Sequence, residues 1–142
     1  MTTREEIIET VNKLFVYTDY QKWGKLQNEV FTESVFLDMR SLGGKSMETT
    51  AKEICSMWQE GFKGLDAINH LAGNYIVELI DDGLAKVFAY ATTTHFKASA
   101  KNGNVREFIG SYDLKLESTP QGWRINTFIY NLKYMTGNST LE

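Results

Sequence analysis

The sequence predicts an α+β domain: three N-terminal helices packed on one face of a curved, mostly antiparallel sheet. Three observations predict it. Apolar residues recur at helical spacing through the first part of the chain. After Asp66 the period drops from about 3.6 to about 2. Turn signals then cut the second half into four long strand-like runs.

The elements follow in order. Thr3 with Glu6 predicts a capping box, and Ile7, Val11, Leu14, Phe15 and Thr18 form the apolar stripe of the helix behind it. Trp23, Leu26, Gln27 and Val30 predict a second, short helix, which Gly24 weakens. Residues 35–39 read as a short strand, and Gly43-Gly44 as a turn. Ser46 is the expected N-cap of a third helix, with Glu48 in its first turn. Ala51, Ile54, Cys55, Trp58 and Phe62 are its buried stripe, and Gly61 and Gly64 loosen its end. Four strands follow over 69–80, 84–98, 105–118 and 123–134. Asp82-Gly83, Asn102-Gly103 and Pro120-Gln121-Gly122 mark the turns between them. The expected organisation is one domain over 1–135 with a loose polar tail over 136–142.

Composition narrows the function. A chain of 142 residues is long enough to bury a substantial core. A net charge of −3, with no two basic residues adjacent, argues against nucleic acid. No run approaches the roughly 20 apolar residues of a membrane span. The first six residues are polar and lack the apolar core of a signal peptide, which predicts a cytoplasmic protein. The single cysteine, Cys55, excludes an internal disulfide and fits a reducing compartment.

Strand parity shows which side chains share a face. Ala85, Val87, Ala89, Ala91, Thr93 and His95 fall on one side of their strand. Small residues on an inward face leave space, and on a concave sheet that space is a pocket. His70 shares parity with Ala72, again beside small residues. His70 and His95 are the only histidines, and Asp19 lies at the end of the first helix, just ahead of Trp23. Histidine changes charge near neutral pH and is the usual proton-transfer residue. An inward aspartate can hold a histidine in one tautomer and stabilise its protonated form. Ile109, Ser111 and Asp113 share one face of the third strand of this set, and a carboxylate in an apolar pocket would serve as an acid. Phe88, Tyr90, Phe96, Tyr112 and Tyr130 suggest an apolar outer face that a second copy would cover. No ligand spacing such as His-Glu-x-x-His predicts a metal, and no glycine loop predicts a phosphate cofactor.

Residues 17–23, 35–38, 69–74, 94–96 and 122–125, in this order and spacing, give the chain a resemblance. It resembles the SnoaL-like group of the nuclear transport factor 2-like superfamily over nearly its whole length. The resemblance implies a cone-shaped domain whose pocket works without a cofactor. The polar set is most similar to that of the scytalone dehydratases. On that likeness Asp19, His70 and His95 are the catalytic set, and Tyr17, Met39 and either Asp113 or Asn131 would touch substrate. Thr18 and Met39 stand where those enzymes carry tyrosines, which argues against scytalone itself. Bile-acid dehydratases of the group also match at Asp19 and His70. Their preceding tyrosine corresponds to Leu14, and their late-strand arginine has no clear match. The implied function is a cofactor-independent dehydratase-type lyase or isomerase acting on a small, mostly apolar, oxygenated molecule. The alternative is a non-catalytic ligand-binding or dimerisation module of the same fold.

Overall fold

The computed structural model describes residues 1–142. Helix α1 (Thr3–Asp19) starts one residue earlier than the sequence suggests. Thr2, not Thr3, is the N-cap: its hydroxyl accepts the Glu5 N–H, and the Glu5 carboxylate accepts the Thr2 N–H. The stripe behind it is buried as expected, with Ile7, Val11 and Leu14 almost fully excluded from solvent. Each such side chain contributes about 1.5–3 kcal/mol. The second helical segment begins as α2 (Trp23–Lys25) and continues as a π-helical stretch, Leu26–Val30, which buries Leu26 and Val30. Strand β1 (Phe31–Asp38) begins four residues before the expected run.

After β1 the chain makes a 3₁₀ turn, Arg40–Leu42. The expected helix start at Ser46 is instead strand β2 (Ser46–Thr50), because residues 46–50 pair in antiparallel register with 38–34 of β1. Helix α3 (Ala51–Gly61) begins only when that pairing ends, and Thr50 is its N-cap, accepting the Glu53 N–H. Strands β3 (Ala67–Asp81), β4 (Leu84–Phe96), β5 (Val105–Thr119) and β6 (Gly122–Gly137) form an antiparallel meander. The sheet order is β2-β1-β6-β5-β4-β3, and β1 joins β6 in parallel. The result is three helices packed on a six-stranded, curled, mostly antiparallel sheet.

A register shift between Gly73 and Ile76 of β3 sharpens the curl, and Asn74 takes a left-handed backbone there (φ 56°). The shift also breaks strict parity, so Ile76 faces out while His70 and Ala72 keep to the inner side. The segment after β5 is hydrogen-bonded to it through its last residues. β6 runs to Gly137, Asn138 bonds Val105 and Gly103, and Leu141 is buried.

Candidate active site

Helix α1 brings Phe15 and Asp19 onto one face, one turn apart. A carboxylate at a helix C-terminus is electrostatically disfavoured. Asp19 is compensated there by His70 of β3. Its Oδ2 accepts the His70 backbone N–H at 2.9 Å, and its Oδ1 meets His70 Nδ1 at 2.5 Å. Both side chains are about nine-tenths buried, at 9% and 10% exposure. The Phe15 ring stacks on the imidazole, 5.3 Å between centroids. A carboxylate has no proton to give, so Nδ1–H donates, and Nε2 carries the ring's free lone pair.

That ring lines a cavity of about 140 Å³ between the helices and the sheet. A cavity of roughly 150 Å³ accepts a benzene-sized guest. Leu14, Phe15 and Thr18 of α1, Trp58 and Phe62 at α3, and Phe108, Tyr112, Phe128 and Tyr130 of the sheet form most of the wall. Met39 and the exposed Leu42 sit at one side. The 3₁₀ turn that carries Leu42 is pinned to β6: the Ser41 hydroxyl donates to Tyr130 O at 2.7 Å and accepts the Leu132 N–H at 3.0 Å.

His95 lines the same cavity from β4. Its Nδ1 accepts the Arg106 Nε–H at 3.0 Å. Burial, then the Arg106 charge, then His70 push its pKa down to about 4. Burial raises the Tyr112 phenol, and raises that of Tyr130 to about 12, so both stay protonated at neutral pH. The Tyr130 hydroxyl is buried with no partner and lies over Gly110, where a Cβ would sit 2.5 Å from it. Glycine at 110 therefore makes room for this ring.

Three residues expected to touch substrate lie elsewhere. Asp113 pairs with Phe88 and faces the outer side of the sheet, where Asn131 Nδ2 donates to its carboxylate at 2.8 Å. Asn131 is exposed on that same outer side. The β5 parity groups were legible; the inward one is the other, Phe108, Gly110, Tyr112 and Leu114. Tyr112 and Tyr130 consequently face in and do not belong to an outer apolar face. Tyr17 is two residues from both Phe15 and Asp19, which puts it on another side of α1. Its hydroxyl donates to Glu29, and Lys25 lies over its ring. Thr18 does line the cavity, but its hydroxyl donates to Leu14 O at 2.6 Å within its own helix. Arg106, Tyr112 and Tyr130 are the polar residues that the sequence reading missed. No group of three His, Cys, Asp or Glu side chains converges anywhere in the chain. No helix is long and apolar enough to cross a membrane.

A curled sheet closed by three helices, with polar groups facing an apolar cavity, defines a class of small cone-shaped α+β domains. The chain belongs to the SnoaL-like domain family, whose model matches residues 1–129. Among solved structures it is similar to the Kfla4162 protein from Kribbella flavida, at 23% identity and TM-score 0.91, covering 97% of this chain and 95% of that one. It is also similar to a provisionally named scytalone dehydratase from Novosphingobium aromaticivorans DSM 12444, at 12% identity and TM-score 0.80, covering 95% and 87%. A third is the hexachlorocyclohexane dehydrochlorinase LinA-type3 from Novosphingobium barchaimii LL02, at 11% identity and TM-score 0.78, covering 96% and 90%. At these identities the likeness is one of fold. No curated protein matches the chain.

Proposed function

We propose that this protein is a lyase of the dehydratase type, or an isomerase, that works by proton transfer and needs no cofactor. The observation that carries this reading is the buried Asp19–His70 pair, with Nε2 of the ring left to an apolar cavity. Two of the structurally similar proteins are named for eliminations, a dehydration and a dehydrochlorination. In both, a proton leaves one carbon and a leaving group its neighbour.

For a β-hydroxy ketone the steps balance as follows. His70 Nε2 takes the proton from the carbon beside the carbonyl, and the C–H electron pair forms an enolate. Asp19 stabilises the imidazolium that results. The enolate collapses to an enone as the β C–O bond breaks. The proton on His70 goes to the departing oxygen, which leaves as water. Positioned proton transfer of this kind is worth about 10²–10⁴ in rate. Isomerisation differs only in returning the proton to another carbon.

The test is dehydration of 3-hydroxycyclohexanone, a single-ring substrate for a single-ring cavity, followed by enone absorbance. α-Proton exchange of cyclohexanone in D₂O gives a second readout. Turnover that is absent in His70→Ala supports the reading, and full turnover in that variant overturns it. Outside the site, Leu71 and Ile76 on the sheet's outer face are 73% and 65% exposed. The proposal includes a homodimer through that face, and light scattering showing a monomer at micromolar concentration would contradict it. It also places the chain in the cytoplasm, where the buried Cys55 thiol, its pKa raised by burial, stays reduced.

A further inference from the structure

His95 has a partner that the proposed reaction does not yet use. Arg106 of β5 is its direct register neighbour, and directly opposed residues place their side chains on one face. The guanidinium is held at several points. Nε donates to His95 Nδ1 at 3.0 Å, Nη1 donates to Ser139 O at 3.2 Å, and the group lies 5.6 Å from the Phe108 ring centre. Arginine has five donors, no acceptor, and keeps its proton. Its partner nitrogen must therefore present a lone pair. The single ring proton of His95 is on Nε2, for which the protein supplies no acceptor.

We infer that Arg106 is a positioning residue that keeps His95 a neutral Nε2–H donor, aimed at a substrate oxygen on which negative charge develops. This rests on the proton-transfer reading of the same cavity. His95 cannot act as the base, because its cavity-side nitrogen already carries the proton. Protonating Nδ1 would break the Arg106 bond and set two cations side by side. What remains is hydrogen-bond donation, strengthened by the cation behind the ring.

The placement suits a carbonyl compound. His95 opposes Ile68, and His70 opposes Thr93, so the two histidines are diagonal neighbours across β3 and β4. Such neighbours stand about 7–8 Å apart at the backbone. One side chain can then reach the carbon beside a carbonyl while the other reaches its oxygen. The substrate class this implies is a single-ring ketone or enone, whose oxygen becomes an enolate as His70 takes the proton. A neutral donor near that oxygen stabilises the enolate without protonating it, which favours elimination.

The chain holds only two histidines, so ring ¹⁵N spectra resolve both, with His70→Asn identifying the His95 signals. In the wild-type protein at pH 7, His95 should show a protonated Nε2 and an acceptor-type Nδ1. In Arg106→Met the ring should mix tautomers and take up its second proton at a higher pH than in the wild type, while burial still holds it below the ordinary histidine range. Arg106→Lys should restore part of the wild-type pattern. 4-Nitrophenolate, a single-ring oxyanion, should bind wild type at least tenfold more tightly than Arg106→Met. A wild-type His95 with its proton on Nδ1, or one that titrates between pH 6 and 7, overturns the inference without any variant. Equal 4-nitrophenolate affinity in wild type and a folded Arg106→Met overturns it as well. The base reading fails separately, on retained turnover in His70→Ala, a result the His95 spectra do not touch.

Discussion

His70 and His95 lie on neighbouring strands, face one cavity, and each has Nδ1 engaged by a charged side chain. The charges are opposite, and so are the consequences. A carboxylate at Nδ1 of His70 draws the ring proton to that side and leaves Nε2 a lone pair backed by negative charge. A guanidinium at Nδ1 of His95 does the reverse: Nε2 keeps the proton, and the ring resists a second one. On the proposed reading, two copies of one residue thus become a base and a donor. The imidazole is common to both; the partner on the far nitrogen assigns the role.

The largest effect should come from His70→Ala. Elimination should fall about 10²–10⁴-fold, while circular dichroism stays native, since Asp19 still accepts the backbone N–H of residue 70. Asp19→Asn comes next. An amide can donate to Nδ1 and favour the wrong tautomer, so turnover should fall about 10²-fold or more with a smaller change in substrate affinity. A loss below threefold would mean the pair does not act as a unit.

A stability measurement probes the other histidine. The folded pKa of His95 is about 4, below its unfolded value of 6.5. The unfolded chain therefore takes the proton first as pH falls. The stability from a neutral, buried His95 is present above about pH 6.5 and is lost on going down to about 4. The loss is on the order of 3 kcal/mol. Denaturant titrations of wild type and His95→Asn across that range should diverge by this term, and parallel curves would contradict the neutral assignment. The smallest effect is on rate: His95→Asn keeps a neutral N–H donor and should cost only about tenfold, far less than His70→Ala. If the two substitutions cost the same, the contrast between base and donor is wrong.

Much of this arrangement could be read before any coordinates. The alternation of Ala85 through His95 placed that histidine on an inner face, and the shift from period 3.6 to 2 after Asp66 marked the start of the meander. Other features were decided by pairing partners that parity cannot see. Asp113 and Tyr112 are adjacent, so choosing the wrong inward face for β5 exchanged a solvated carboxylate for a buried phenol. A signal was present: Tyr112, Leu114 and Leu116 alternate as a buried face should. Ser46 has the chemistry of an N-cap, yet its segment is a strand because β1 offers a ladder to residues 46–50. Arg106 gave no local signal. Its meaning lies in the register that sets it opposite His95.

The parallel pairing of β1 with β6 has a consequence for how the chain comes into being. β6 starts at Gly122, so β1 must wait for a strand much further along the chain. Until then β1 has only β2 as a strand partner, and the cavity wall that Phe128 and Tyr130 supply is missing. Asp19 and His70 are close enough in sequence to meet sooner. The proton-transfer pair can thus form on a nascent chain well before there is a dry chamber around it. Long-range closure of this kind slows folding. It also joins the completion of the cavity to the pairing of β1 with β6.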